Sequence, residues 1–431
     1  MSRPPAAAPA PTFSRDQIFV IAVLSFLQFT IVLDFMILSP LGAILLPALN
    51  ITTAQFGLVV SGYAIAAGLS GVCAAGFADR FDRKRLLLFF YSGFILGTFL
   101  CGLAPNYPTL LVARIVTGLF GGVIAAVGLA IIADLFPLEV RGRVMGFVQS
   151  AFAASQVLGI PIGIFLANHL GWHAPFILIA ALGAVVGVII ALRLRPIDAH
   201  LKGASRRSPF GHLLRTATNR RYQAGFAATT LLTTGGFMLM PFGSAFTVHN
   251  LGIPIEQLPV IYMASGVCSL AFGPLIGRLS DRIGKYRIFC YGTVVGVALV
   301  LVFTRLGHTP LWAVIALNVV LYASIAGRMV AAGALNSAMP EATDRGAYMS
   351  INGSLQQVSG GIASMAAGMI VVQAADGHLN HYATLGVVVS VAMIVSMLLM
   401  ARVNRLVLQK APAAPISAAM AGARGSGGSS R

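Results

Sequence analysis

FMILSPLG, residues 35–42, recurs one residue shorter as FMLMPFG at 237–243. ADRFDRKR at 78–85 answers SDRIGKYR at 280–287, and PLEVRG at 137–142 answers PEATDRG at 340–346. The offsets are 202, 202 and 204 residues, so the three ordered matches mark a duplicated unit. Each copy is markedly apolar: 57% of the 431 residues are hydrophobic and 10% charged, against about 25% charged in soluble domains. A bilayer span needs about 20 mostly apolar residues. Such windows fall at 18–46, 56–78, 86–104, 109–133, 144–168 and 175–192, and again at 222–248, 258–279, 287–306, 311–336, 347–372 and 383–403. Spanning β-strands need about 10 residues and alternate polar with apolar, so these continuous runs predict twelve transmembrane helices in two six-helix halves, an all-α membrane protein.

The domain division follows: 1–17 an N-terminal segment, 18–192 the first bundle, 193–221 a basic linker, 222–403 the second bundle, and 404–431 a tail whose Pro, Ala, Gly and Ser content predicts disorder. The net charge of +17 would suggest acidic partners in a soluble chain. Its placement argues otherwise, because 26 of the 29 Lys and Arg fall in the termini and alternate loops, leaving Arg114, Arg305 and Arg328. Positive charge concentrates on the cytoplasmic side, which predicts cytoplasmic termini, and charges spread over short loops give no nucleic-acid patch. The first residues, MSRPPAAAPAPTFSRDQ, lack the order of a cleavable signal, so the first helix is expected to remain a span. Cys73, Cys101, Cys268 and Cys290 stand singly without CxxC spacing. They read as core residues, with no metal site expected.

Ionisable residues at bilayer depth are costly and become functional candidates. Asp34, in IVLDFMILSP, lies about 24 Å from the basic-loop start of the first span, and Arg114 about 8 Å below the opposite start of the fourth, at about 1.5 Å per residue. Both therefore fall at nearly the same level, in the outer third of a core about 30 Å thick, where a static strut and a proton-coupling site are the two readings. Gly236 takes the place of Asp34 in the second copy, so the architecture alone does not demand a carboxylate. Arg328, in SIAGRMVAAG, has no acidic residue in the interior of its own half. It either stretches to the interface or binds a substrate anion. Asn352, Gln356 and Ser359 share one helical stripe, suited to ligand or to helix contact. Phe237 and Met238, with Phe35 as the repeat mate of Phe237, offer a soft apolar surface for substrate, packing or lipid. Glycine pairs four apart, at 93/97, 118/122, 273/277 and 292/296, read as close helix packing.

The 6+6 repeat with these loops resembles the major facilitator superfamily of secondary transporters over about residues 18–403. GRLSDRIGK, 277–285, fits that family's loop pattern G-x-L-x-D-R-x-G-R/K throughout, whereas AGFADRFDRK, 75–84, keeps Asp79 and Arg80 but has Ala75 and Asp82 at the glycine positions. Asp tolerates a left-handed turn better than most residues, though less well than Gly, so the first loop is expected to be present but less mobile than the second. The resemblance implies that Asp79, Arg80, Arg83, Asp281, Arg282 and Gly284 gate the conformational cycle. ARIVTG, 113–118, is similar to the R-x-x-x-G of proton-coupled members, and an acid in the first helix occurs in drug:proton antiporters. GIPIG, with Gly159, Pro161 and Gly163, resembles the fifth-helix segment of bacterial sugar and drug efflux permeases but lacks the longer antiporter pattern. The implied function is proton-coupled efflux of small organic compounds or drugs by alternating access, with Asp34 and Arg114 coupling the proton. Arg328, Asn352, Gln356, Phe35, Phe237 and Met238 would then bind substrate. Uptake by symport, facilitated passage, or a non-transporting receptor are the alternatives; no enzymatic motif is visible. No cofactor is expected beyond the proton gradient, and the partners are lipid, protons and a small organic substrate. A monomer is expected. Four Lys against 25 Arg suggest a GC-rich bacterial genome, hence the inner membrane.

Overall fold

The computed structural model describes residues 13–198, 201, 209–341 and 343–410. Twelve long helices follow in order: α1 (Arg15–Ile37), α2 (Thr53–Phe77), α3 (Arg83–Gly102), α4 (Tyr107–Leu135), α5 in two parts (Leu138–Ala154 and Ile160–Leu170), α6 (Ala174–Arg193), α7 (Arg220–Leu239), α8 (Leu258–Ile283), α9 (Lys285–Phe303), α10 (Leu311–Ala338), α11 (Arg345–Ile370) and α12 (Tyr382–Lys410). Eleven spans among the described residues are long and apolar enough to cross a membrane. The helix outside that set, α11, is diluted by serine, glycine, asparagine and glutamine, and it is the one that packs hardest against the other half through α2. The helix ends are set by local chemistry. Ser14 and Thr52 form capping boxes with Gln17 and Gln55, and Asn106 and Asn219 cap α4 and α7 through their side chains, satisfying donors that a helix start leaves open.

Several boundaries differ from expectation. The first window, 18–46, is broken after Ile37 and resumes as a short helix Gly42–Ala48, because Pro40 has no N–H and disfavours helical geometry at Ser39. Residues 404–410, expected in the disordered tail, continue α12 as helix; the rest of that tail and the segment 1–12 lie outside the described residues. Arg305 follows the end of α9 and bonds the Leu301 carbonyl at 2.7 Å, so one cation does sit on the face opposite the basic loops. We call these the basic face and the far face.

The repeated stretch quoted first is where the halves meet. Pro241 breaks the second copy as Pro40 breaks the first, and the two kinks interlock at the far end. The Ser39 hydroxyl donates to the Met240 carbonyl, Ser244 donates to the Ser39 carbonyl at 2.9 Å, and the rings of Phe56 and Phe242 lie 6.0 Å apart. One hydrophobic cluster there draws on both halves, from Leu33 to Met393. Toward the basic face the core divides into two clusters, one confined to each half. Thr53 donates to the Val371 carbonyl at 2.5 Å and Asn168 to the Ile255 carbonyl at 3.3 Å, both across the halves at the far end.

Along α2 and α11 the contact depends on glycine. A Cβ on Gly57 would stand 2.8 Å from the Ser364 carbonyl, and one on Gly368 would stand 2.6 Å from that of Thr53. Of the glycine pairs singled out in the sequence, 93/97, 118/122 and 292/296 do face close neighbours, whereas Gly273 and Gly277 have open space. The last pair is therefore not a packing contact.

Candidate functional site

Asp34 and Arg114 meet inside the first half. Arg114 Nη1 lies 2.7 Å from Asp34 Oδ2, both side chains are fully buried, and Nη1 also reaches the Asp34 carbonyl at 3.3 Å. The second carboxylate oxygen accepts from Thr98 Oγ1 at 3.1 Å, so every oxygen of the acid has a donor, as an ionised carboxylate requires. The guanidinium rests over Tyr63, 4.4 Å from the ring centroid, an attraction that strengthens on desolvation. Four helices thus build the site: α1 the acid, α4 the base, α3 the hydroxyl and α2 the ring. Gly97 lets α3 approach Thr117, and Gly118 lets α4 lie on the backbone of Tyr63. Arg114 Nε and Nη2 remain buried without a hydrogen-bond partner. Sequence reasoning missed Thr98 and Tyr63; their only signal was a hydroxyl in an apolar window.

From Tyr63 a run of rings leaves the pair and crosses to the other half. Tyr63 and Phe35 lie 5.3 Å apart, and Phe35 and Phe237 5.6 Å. Phe237 is seated against Gly360, and its carbonyl accepts from Ser364 at 3.0 Å.

The remaining expected substrate ligands do not gather around this run. Met238, next to Phe237, turns into a separate cavity of about 390 Å³ between α7 and α11, lined also by Thr230, Thr234, Ser359 and Ala363. Asn352 is occupied within its own half, accepting from Thr229 at 2.7 Å while Asn336 donates to the same hydroxyl at 2.9 Å. Ser359 bonds the Leu355 carbonyl of its own helix, and Gln356 is half-buried beside them. The polar stripe therefore serves helix contact at Asn352, while Ser359 bonds its own helix and lines the cavity. Arg328 is turned away from the path between the halves. Its guanidinium sits 5.4 Å from the centroid of Phe289 on α9, and α9 packs chiefly on α8, α10 and α12 of the same half.

The gating candidates split unevenly. Arg83 is buried and central, 2.8 Å from Asp79, 2.9 Å from Asp134 and 2.8 Å from the Ala78 carbonyl, all in the first half. Arg80, Asp281 and Arg282 are exposed. By the repeat offset, Asp134 corresponds to Asn336, so the second half has no equivalent acid to complete such a cluster. Asp82 does not take a left-handed turn. Its φ is −55°, and its carboxylate caps α3 at Arg85 N (2.8 Å) and holds Ile197 N (2.9 Å). Gly284, in the matching place, has φ +105°, a conformation that favours glycine. The first loop is pinned to the chain following α6 while the second relies on a bare glycine turn. In α5, Gly159 and Gly163 admit Leu33 and Ile37 of α1, and a π turn spans Ser155–Gly159 just before Pro161. The motif thus brings α5 onto the helix that carries Asp34.

At the basic face, a linker helix (Pro209–Thr218) docks through His212, whose Nε2 lies 3.0 Å from Asp344 Oδ1, and Tyr222 donates to the same carboxylate at 2.9 Å. The hydrogen bond from His212, followed by that from Tyr222, holds the Asp344 carboxyl below its ordinary range.

Two six-helix repeats joined at one end, with a charged pair sealed inside one of them, match the repeat architecture of membrane transporters. The chain belongs to the Major Facilitator Superfamily, whose family model matches residues 24–363 and 225–424. It is 29% identical over 276 residues to the uncharacterized MFS-type transporter YceJ of Bacillus subtilis (strain 168), covering 63% of this chain and 69% of that protein. It is 33% identical over 132 residues to Multidrug resistance protein 3 of the same organism, a match spanning 30% of this chain and 26% of that one. Among solved structures it resembles a bacterial homolog of the human lysosomal transporter Spinster, in an inward-facing and unoccupied conformation. That likeness has a TM-score of 0.76 at 15% identity over 93% of this chain and 100% of that chain.

Proposed function

We propose that this transporter exports small organic compounds in exchange for protons, with Asp34 carrying the proton and Arg114 controlling its release. The observation that carries this reading is the sealed Asp34–Arg114 pair, present in one half and replaced by Gly236 in the other. A strut needed by the fold would be expected in both copies. The substrate site lies between the halves near Phe35 and Phe237, where the ring run gives a bound compound leverage on Tyr63 and so on Arg114. The name of Multidrug resistance protein 3 supports a drug-like cargo. Asn352 and Met238 join the substrate site only if α7 and α11 move apart. Asp79, Arg83 and Asp134 stabilise one end of the cycle by holding the basic ends of α2, α3 and α4 together.

Purified protein in liposomes with an imposed pH gradient, given a compound panel, tests the reading. Uphill movement of at least one compound, driven by protons in the opposite direction, is expected. Movement with the protons identifies a symporter using the same carboxylate, and no gradient-linked flux for any compound removes the reading.

The basic face is assigned to the cytoplasm of a bacterial inner membrane, on the loop-charge asymmetry. In a background without the four native cysteines, a membrane-impermeant thiol reagent added to intact cells should label Pro105→Cys and spare Arg215→Cys. The reverse pattern inverts the assignment.

A further inference from the structure

Arg328 is 4% exposed, and its Nε and Nη2 are buried without a hydrogen-bond partner. No ion pair holds it among the described residues. A guanidinium left unpaired at membrane depth is costly, and the repeat does not call for it, since the corresponding first-half position is Ala126. The direction of the side chain is informative. Its Cγ lies against Gly292, 3.1 Å from where a Cβ would stand, while its Cζ sits over Phe289. Phe289 is nearly a turn closer to the start of α9, so the side chain stretches toward the basic face, as a snorkelling arginine does. Lys285 lies one further turn along the same face of α9, about 6 Å beyond Phe289. Neighbouring Gly327 faces Ile276 of α8 and Ile288 of α9, so Arg328 lies where α8, α9 and α10 come together. The basic ends of α8 and α9 carry Arg278, Arg282, Lys285 and Arg287 against a single acid, Asp281.

We propose that the junction of these three helices binds a phosphate group, supplied by the headgroup of an anionic lipid in the basic-face leaflet, with Arg328 as the deep ligand and Lys285 at the rim. A planar guanidinium matches phosphate oxygens with paired donors, and basic pockets between membrane helices at this depth suit anionic headgroups. Packing of α9 within its own half places the site off the path between the halves, so it does not depend on the transport reading.

The full-length protein in detergent, titrated with dioleoylphosphatidylglycerol and examined by native mass spectrometry, tests this. One phosphatidylglycerol should be retained per chain in at least tenfold preference to dioleoylphosphatidylcholine, and Arg328→Gln should abolish the preference while Arg305→Gln, on the far face, preserves it. If Arg328→Gln does not yield folded protein, Lys285→Gln/Arg287→Gln should still weaken retention at least threefold. Inorganic phosphate at millimolar concentration should not displace the lipid. Binding of inorganic phosphate with no lipid preference overturns the headgroup as ligand, and equal retention of the two lipids, or insensitivity to both variants, overturns the site.

Discussion

The Asp34→Asn protein is expected to lose proton-driven accumulation of substrate entirely while keeping binding and downhill exchange. Loss of water favours the neutral form of a carboxyl and a close cation favours the charged form. In the conformation described, Arg114 at 2.7 Å and Thr98 at 3.1 Å hold Asp34 as an acceptor on both oxygens. If rocking draws α1 and α4 apart, or a substrate pushing on Phe35 shifts Tyr63, the acid loses its cation in an apolar surrounding and takes up a proton. Moving one charge through the membrane field is worth about 2.3 kcal/mol per 100 mV, enough for roughly fifty-fold accumulation. Asparagine has nearly the same shape but no proton to exchange, so the coupling vanishes and the pathway remains. The substitution also leaves Arg114 buried without its counter-charge, a loss that costs about 3–5 kcal/mol in buried pairs. The measurement therefore pairs flux in liposomes with thermal stability, and includes Asp34→Asn/Arg114→Gln, which removes both charges. If the double variant regains stability and still shows no pH-driven flux, Asp34 carries the proton. Normal accumulation by a stably inserted Asp34→Asn protein would make the pair a strut.

The parts legible in the sequence were those governed by periodicity and depth. Apolar windows located the helices, the 202-residue offset divided the chain, and rise per residue placed Asp34 and Arg114 at one level. What depended on direction was not legible. Arg328 is legible as an ionisable residue within a span, but whether its side chain runs inward or along α9 is decided by Gly292 and Phe289, 36 and 39 positions earlier in the chain. Asn352 gives a polar signal whether it faces a ligand or Thr229. Thr98 costs little inside a helix, because a hydroxyl can bond its own backbone, so its pairing with Asp34 leaves no trace in spacing. The role of Asp82 was not legible because the same residue type serves a left-handed turn and a helix cap, and the backbone nitrogens of Arg85 and Ile197 selected the cap. The far-end contact was visible only as a repeat; that its two copies would touch each other follows from tertiary packing.

The glycine seam gives the other large effect. Gly57 and Gly368 do not stand in the four-apart pairs that mark packing within one half, because they serve contact between α2 and α11 at the far end. A Cβ at either would lie within 3.0 Å of a backbone carbonyl oxygen, and neither oxygen belongs to a flexible side chain that could yield. Valine at Gly368 therefore forces the far ends of α2 and α11 apart. Overpacking of this kind costs about 1–3 kcal/mol, which shifts a two-state equilibrium by roughly 5- to 150-fold. The cost falls only on the conformation with the far end shut, so the variant should populate the opposite one. Ser244, 1% exposed and bonded to the Ser39 carbonyl, reports the change. In a cysteine-free background, Ser244→Cys should react slowly with a membrane-impermeant thiol reagent supplied at the far face, and at least fivefold faster when Gly368→Val is added. Transport should fall at least tenfold, since a carrier held in one state cannot complete its cycle. Equal labelling rates with full insertion would show that the seam adapts by backbone movement and that far-end closure does not depend on these glycines.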